Sequence, residues 1–522
     1  MFETKRHRAK VIVYPAGLAW RQLRDDPRRA GRLAVRLALR NAPGRLRRRL
    51  GRTRLGALTT PRPRDPRREA VDLRVLLELR SPLGGTRLGK TPTGVSRSHR
   101  ETATGERRPV ETVTGERRPG ERFPVLHLVT NALPCTNAGY TVRTHQIALA
   151  QLAAGLRPHV VTRLGYPLAQ GVADARPTVR YEGVDYHRLI PWLPPRDPAA
   201  AVATAADRAG RLVTAVRPRV LHAASNHLNA AVALELRRRH DLPVVYEVRG
   251  FLEDSWLSRA AANTQDAEFY QLSRELETRC MGAADHVITL GTAMRDEIAE
   301  RGIDPAKITV VPNAVDEAFL QPLPDGGDLR TQLGLGTDRA VVGLTSSFYG
   351  YEGIDTLIEA AALLHDRGTP VRMLLVGDGP ERGALERLAA DRGVDAVFTG
   401  RVPMSSVRHY HAVLDLFAVP RRADRVCQLV TPLKPLEAMA GGVPVIASDV
   451  KALREIVEPD VSGVLTLPED REAWANSMES LIYSPERRRK IGQTAREWVR
   501  AERTWRAVTA RCLTAYEKLD LG

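Results

Sequence analysis

From residue 123 onward the chain repeats one alternation: a short apolar run, then a stretch of helical periodicity. The runs are VLHLVT (125–130), HVVT (159–162), VLHAA (220–224), VVYEV (244–248), HVITL (286–290) and ITVVP (308–312), with helical patterns over 141–155, 227–240 and 292–302. Runs that are apolar throughout suit strands covered on both faces, and strands alternating with helices give a parallel sheet. A linker-like stretch, LPDGGDLRTQLGLGTD (323–338), interrupts the pattern. It restarts with AVVGLT (340–345), VRMLLVG (371–377), AVFTG (396–400), LDLFAVP (414–420) and VPVIAS (443–448). The expectation is an α/β protein with two Rossmann-like doubly wound domains, 123–318 and 319–497, facing a cleft. A last helical stretch, 498–522, has Trp505, Val508, Cys512 and Leu513 to pack. Ligands bind such sheets outside the carboxyl ends of their strands.

Charge is distributed unevenly. Residues 1–122 hold 32 Lys and Arg against 12 Asp and Glu, a balance of +20, whereas the remaining 400 hold 47 against 49, a balance of −2. The basicity belongs to an N-terminal extension, and the near-neutral body is not the footprint of a nucleic-acid enzyme. In the extension (1–100), GRLAVRLALRNAPGRLRRRLGR (31–52) places Leu33, Leu37, Ala34 and Ala38 at helical spacing among arginines. Such a stripe suits an anionic membrane surface, and equally a solvated or loosely docked basic helix pair. The tandem decapeptide ETATGERRPV–ETVTGERRPG (101–120) is polar and reads as a linker, 101–122. VIVYPAGLAW (11–20) is too short and too Pro-interrupted for a signal peptide. No apolar run is long enough to span a bilayer. The four cysteines, Cys135, Cys280, Cys427 and Cys512, lack paired spacing, which fits free thiols in a reducing compartment.

Two segments carry chemistry. LLVGDGPERGALERLA (374–389) is a strand, a turn and a helix start. Gly377 and Gly379 there admit either close ligand approach or tight scaffold packing. In VTPLKPLEAMAGGVPVIASDV (430–450), Pro432 and Pro435 place a helix start near 432–435. Free N–H groups at such a start favour an anion, and Lys434 adds a point charge suited to a diphosphate. Glu437, about one turn on, can accept from the two hydroxyls of a ribose. A local Lys–Glu pair is the plainer alternative.

These pieces, in this order, resemble the retaining glycosyltransferases of family 4, which have the GT-B fold. The resemblance runs over about 123–519 through VVPNAVD (310–316), VGLTSSFYGYEGIDTLIEA (342–360), LLVGDGPE (374–381), VFTGRVP (397–403) and PLEAMAGGVPVIASDV (435–450). The stretch VVYEVRGFLEDSW (244–256) looks like a subgroup near bacterial exopolysaccharide-linked transferases. The resemblance implies transfer of a sugar from a nucleoside-diphosphate donor to a carbohydrate or lipid-linked acceptor with retained configuration. It assigns Glu437 to the donor ribose, Arg401 and Val402 to the base, and Gly139 to the loop facing the diphosphate. Leu433 belongs to the same donor mouth. It also implies a final helix that crosses back to the N-terminal domain.

Three positions depart from the pattern. A second family Glu falls on Leu429, with Gln428 its nearest polar neighbour. The usual Arg and Lys of the first C-terminal loop fall on Ser347 and Glu352, and a frequent His falls on Arg249. Lys434, Arg249, Arg422 and Arg425 are the cations that would neutralise the diphosphate, with Lys434 and Arg249 in the catalytic role. His145, His222 and Arg143 are acceptor-side candidates. No Asp-x-Asp clamp stands at a strand end, so a metal-independent reaction without a cofactor is expected, with the nucleotide sugar as co-substrate. The expected location is cytoplasmic, peripheral on the inner face of the plasma membrane. The rival readings are a nucleotide-sugar-binding GT-B scaffold recruited by its basic tail, and a sugar-nucleotide epimerase.

Overall fold

The computed structural model describes residues 10, 11, 13–18, 66–77, 123–260 and 262–519. The basic stripe at 31–52 and the tandem decapeptide lie outside the described residues.

The first lobe is built on eight strands: β1 (Pro124–Val129), β2 (Arg157–Thr162), β3 (Thr178–Tyr181), β4 (Val184–Arg188), β5 (Val220–Ala224), β6 (Val244–Val248), β7 (His286–Thr289) and β8 (Ile308–Val310). Their spatial order is β3-β4-β2-β1-β5-β6-β7-β8. Every neighbouring pair is parallel except β3 with β4. Strands β1, β5 and β6 are buried at every position, as their unbroken apolar runs require. The edge hairpin β3–β4 has no such run, because one of its faces meets water.

The second lobe holds β9 (Val341–Ser347), β10 (Arg372–Asp378), β11 (Ala396–Gly400), β12 (Leu416–Val419), β13 (Val445–Ser448) and β14 (Val464–Thr466). Their order is β11-β10-β9-β12-β13-β14, parallel throughout. Winding reverses beside β1 in one sheet and beside β9 in the other, so each lobe has a switch point where loops diverge and leave a crevice.

The chain crosses between the lobes twice, side by side. Val315 N–H donates to the Arg503 carbonyl at 2.8 Å, and Val315 forms a parallel bridge with Thr504. The final stretch is two helices rather than one. Pro485–Glu502 packs Ile491, Ala495 and Val499 into the second lobe, and Trp505–Glu517 packs Trp505, Val508, Cys512 and Tyr516 onto the first, with Leu513 half-buried beside them. Thr504 makes the break, its hydroxyl capping the second helix by accepting from Ala507 N–H at 3.2 Å.

Two pieces of the basic extension are docked on the first lobe. Helix Pro66–Leu77 buries Ala70, Leu73 and Leu76, one face at three-residue spacing, against helices Glu268–Ala283 and Pro198–Val216. Tyr14, in the helical residues 13–18, is buried against Leu168, Ala175 and Ile190. Its hydroxyl fills the space above Gly165, where a Cβ would fall 1.9 Å from that oxygen. No described helix is long and apolar enough to cross a membrane.

Candidate active site between the two lobes

Helix Lys434–Ala440 leaves the switch point after β12, starting where Pro432 and Pro435 place it. Lys434 Nζ lies 3.0 Å from Glu437 Oε2. Glu437 is 4% exposed, whereas the Lys434 side chain is 38% exposed, so the ammonium faces the crevice and the acid is set behind it. Leu433, just before the helix, reaches the first lobe at Gly139, the first residue of helix Gly139–Ala153. A Cβ on Gly139 would lie 3.1 Å from Leu433 Cδ1. Two helix starts, one from each lobe, therefore meet. The 15-residue helix of the first lobe brings the positive end of its dipole to that junction, although Thr141 and Val142 N–H are already taken by the Ala138 carbonyl at 3.0 Å.

Behind it sits a buried charge cluster at the end of β6. Glu247 receives Arg143 Nε at 2.8 Å and Arg249 Nε at 2.8 Å, with His222 Nε2 at 3.2 Å. Burial alone would raise the Glu247 carboxyl; Arg249 and Arg143 hold it well below its ordinary range. Burial pushes neighbouring His127 down to about 3, aided by His222, so it stays neutral. Two guanidiniums around one carboxylate leave a surplus positive charge. Arg249 carries it toward the junction, donating from Nη1 to the Tyr140 carbonyl at 2.8 Å and to Thr144 Oγ1 at 2.7 Å.

The remaining expected cations are committed elsewhere. Arg425 joins the lobes, with Nε 3.0 Å from Asp254 Oδ1 and Nη2 2.9 Å from Glu297 Oε2. Arg422 pairs with Asp355 at 2.5 Å. Both are corrected from free phosphate cations to partnered ones. Arg401 extends into solvent, 80% exposed, 4.0 Å from Asp378, and Val402 is half-buried against the second-lobe core. Ser347 ends β9 exposed. Gly377 answers to packing rather than ligand approach: at φ +146°, a Cβ would fall 1.8 Å from the Ser346 carbonyl oxygen. Gly379 is crowded in the same way by the Phe348 backbone.

The acceptor-side candidates are interior braces. Arg143, 1% exposed, donates to the Val311 and Pro312 carbonyls at 2.7 and 2.9 Å. His145 is held by Tyr186 Oη at 2.7 Å and Glu182 at 2.9 Å, and His222 by Tyr516 Oη at 2.6 Å as well as Glu247. Both ring nitrogens of each histidine are occupied, so neither faces an acceptor.

The departures from the family pattern have structural counterparts. Leu429 is buried in the first lobe's apolar core, with Val430 beside it, so this position clamps the lobes together. Gln428 does not stand in for the missing acid: its Oε1 caps helix Lys451–Arg454 by accepting from Lys451 N–H at 3.0 Å. Glu352 is countered by Arg421 at 3.2 Å. Asp254, Glu297 and Glu455 are clamp residues that the sequence reading missed. Glu455 accepts from the first N–H groups of helix Thr292–Glu300, Thr292 and Ala293, each at 2.8 Å. No local pattern marks them, because Asp254 and Glu297 lie inside helices Leu252–Leu257 and Thr292–Glu300, Glu455 follows helix Lys451–Arg454, and their partners are distant in the chain.

Two facing doubly wound lobes with a returning C-terminal helix are the GT-B architecture. Sucrose-phosphate synthase from Thermosynechococcus elongatus superimposes with a TM-score of 0.64 at 22% identity, over 76% of this chain and 99% of that one. Anabaena HepE in complex with UDP does so with 0.58 at 20%, over 76% and 100%. Residues 327–498 match the model of the glycosyl transferases group 1, and residues 138–314 match the glycosyl transferase 4-like domain. The chain belongs to this glycosyltransferase family. Among its relatives is the GDP-mannose-dependent alpha-(1-6)-phosphatidylinositol monomannoside mannosyltransferase of Mycobacterium tuberculosis (strain ATCC 25618 / H37Rv), 29% identical over 263 residues, 49% of this chain and 68% of the relative. Another is the D-inositol 3-phosphate glycosyltransferase of Gordonia bronchialis, 30% identical over 305 residues, 56% of this chain and 64% of the relative. The chain thus spans about two thirds of the length of these curated relatives.

Proposed function

We propose that this chain moves a sugar from a nucleoside-diphosphate sugar to a carbohydrate or lipid-linked acceptor, with retained anomeric configuration, in cell-surface polysaccharide or glycoconjugate synthesis. The observation that carries the reading is the meeting of Gly139 and Leu433, with Lys434 and Glu437 on the adjoining first turn. In the free protein Lys434 and Glu437 neutralise each other. A bound donor would separate their duties, the diphosphate drawing Lys434 while the ribose hydroxyls donate to Glu437. The surplus charge at Arg249 and the N–H groups of helix Gly139–Ala153 would stabilise the departing diphosphate. The scheme calls on no metal. Without a carboxylate nucleophile in it, retention corresponds to acceptor attack on the face the leaving group vacates. The relatives named for GDP-mannose and the structure holding UDP support a nucleoside diphosphate as leaving group.

Calorimetry with UDP, GDP and their sugars tests this. Wild type should bind one nucleotide, and Glu437→Ala should weaken it at least roughly tenfold, the loss of a charge-assisted pair of hydrogen bonds. Unchanged affinity in the variant, or silence across the panel, refutes the reading. Turnover of the donor without any acceptor, giving an isomerised sugar nucleotide, would favour an epimerase.

A further inference from the structure

Tyr140 is 43% exposed, a large aromatic side chain on the first turn of a helix whose inner face is buried. An exposed aromatic side chain ordinarily keeps its rotamer freedom. This one is held at both ends. Its carbonyl accepts from Arg249 Nη1 at 2.8 Å and from Thr144 Oγ1 at 3.0 Å. Its hydroxyl accepts from Asn131 Nδ2 at 2.7 Å, and Asn131 Oδ1 in turn accepts from Gln170 Nε2 at 2.8 Å. Asn131 is 7% exposed, so this string is anchored in the fold rather than draped on it. Having accepted from Asn131, the phenol keeps its own proton to donate outward.

The position matters as much as the rigidity. Tyr140 directly follows Gly139, which touches Leu433 across the crevice. The ring therefore stands one residue from the place where the two lobes meet and where Lys434 waits. The side chains in its hydrogen-bond string, Asn131 and Gln170, are uncharged. A flat apolar face with hydroxyl and amide groups along one edge matches a pyranose, which presents a C–H face and equatorial hydroxyls. A rigid aromatic with few rotatable bonds supplies such contact at low entropy cost.

We propose that Tyr140 is the platform on which a neutral pyranose of the acceptor stacks, its tilt set by Asn131 and Gln170. This rests on the transferase reading for the word acceptor, and on the geometry alone for the pyranose. The test uses the full chain, saturated with whichever of UDP or GDP it binds, and saturation-transfer NMR. The probes are methyl α-D-mannopyranoside, methyl α-D-glucopyranoside and methyl β-D-galactopyranoside. At least one glycoside should bind wild type. Tyr140→Ala should weaken that glycoside about tenfold, and Tyr140→Phe, which keeps the ring and loses the hydroxyl, about threefold. Nucleotide affinity should stay at the wild-type value in both. The proposal is overturned if no glycoside binds wild type, if Tyr140→Ala binds it unchanged, or if nucleotide and glycoside affinities fall together. A wild type that binds a glycoside through Tyr140 but no nucleotide would sink the transferase reading and leave the platform standing.

Discussion

His411 offers a test of how the second lobe is built beneath Lys434. The ring is 0% exposed, edge-on to Phe417 at 5.5 Å and 6.3 Å from Phe319, and neither nitrogen has a hydrogen-bond partner. Burial, then the charges of Lys434 and Arg408, push it down to about 3 from 6.5. The folded value lies below the unfolded one, so the unfolded chain takes up the proton first. Stability therefore drains away as pH falls through 6.5, and continues to fall until the folded ring itself titrates. From pH 7 to 5.5 this one group should cost about 1.3 kcal/mol. Leucine has a similar volume and no polar atom to strand. His411→Leu should gain roughly 1–3 kcal/mol at pH 7, the cost of the unmade hydrogen bond, and the gap to wild type should widen by about 1.3 kcal/mol at pH 5.5. Urea-dependent hydrogen exchange of the β12 amides reads this locally, without requiring both lobes to unfold together. A gap that does not change with pH, or a loss of stability, would show that the ring is paired in solution.

Arg425→Ala should leave both sheets intact and loosen one contact between the lobes, at a cost of roughly 1–3 kcal/mol, since Tyr270 still donates to Asp254 and Arg274 and Arg301 still donate to Glu297. Faster amide hydrogen exchange in helices Thr292–Glu300 and Arg425–Leu429 is expected, and unchanged exchange would remove Arg425 from the clamp. Arg143→Met should lower stability by about 3–5 kcal/mol, because Glu247 keeps only one guanidinium in a buried site. A melting temperature equal to wild type contradicts that account. Gly165→Ala should expel Tyr14 and expose residues 10–18 to protease while the first lobe stays folded, so equal protection in the two proteins would contradict the docking.

Elements whose burial is complete were legible in the sequence. Strands β1, β5 and β6 are apolar at almost every position, and Pro432 and Pro435 bracket a helix start that begins at Lys434. The β3–β4 hairpin was not, since half-buried edge strands tolerate Arg, His and Tyr, and β14 was not because it is only three residues long. Lys434 and Glu437 could be read together because three residues of helix fix their separation. Arg425 and Asp254 could not, because 171 residues of chain separate them and only the order of strands brings them into contact. The same holds for His222, whose partners come from β6 and from the last helix. A sequence records which charges exist; which of them remain unspent at a site depends on neighbours that the fold supplies.

The docked pieces of the extension shape the surface of the first lobe itself. The arginine-rich segment 19–65 leaves that lobe at residue 18 and rejoins it at residue 66, so both of its ends are tied to one body. Trimming the chain at residue 122 would do more than remove charge: it would strip Tyr14, Leu73 and Leu76 from their seats and open an apolar surface on the first lobe.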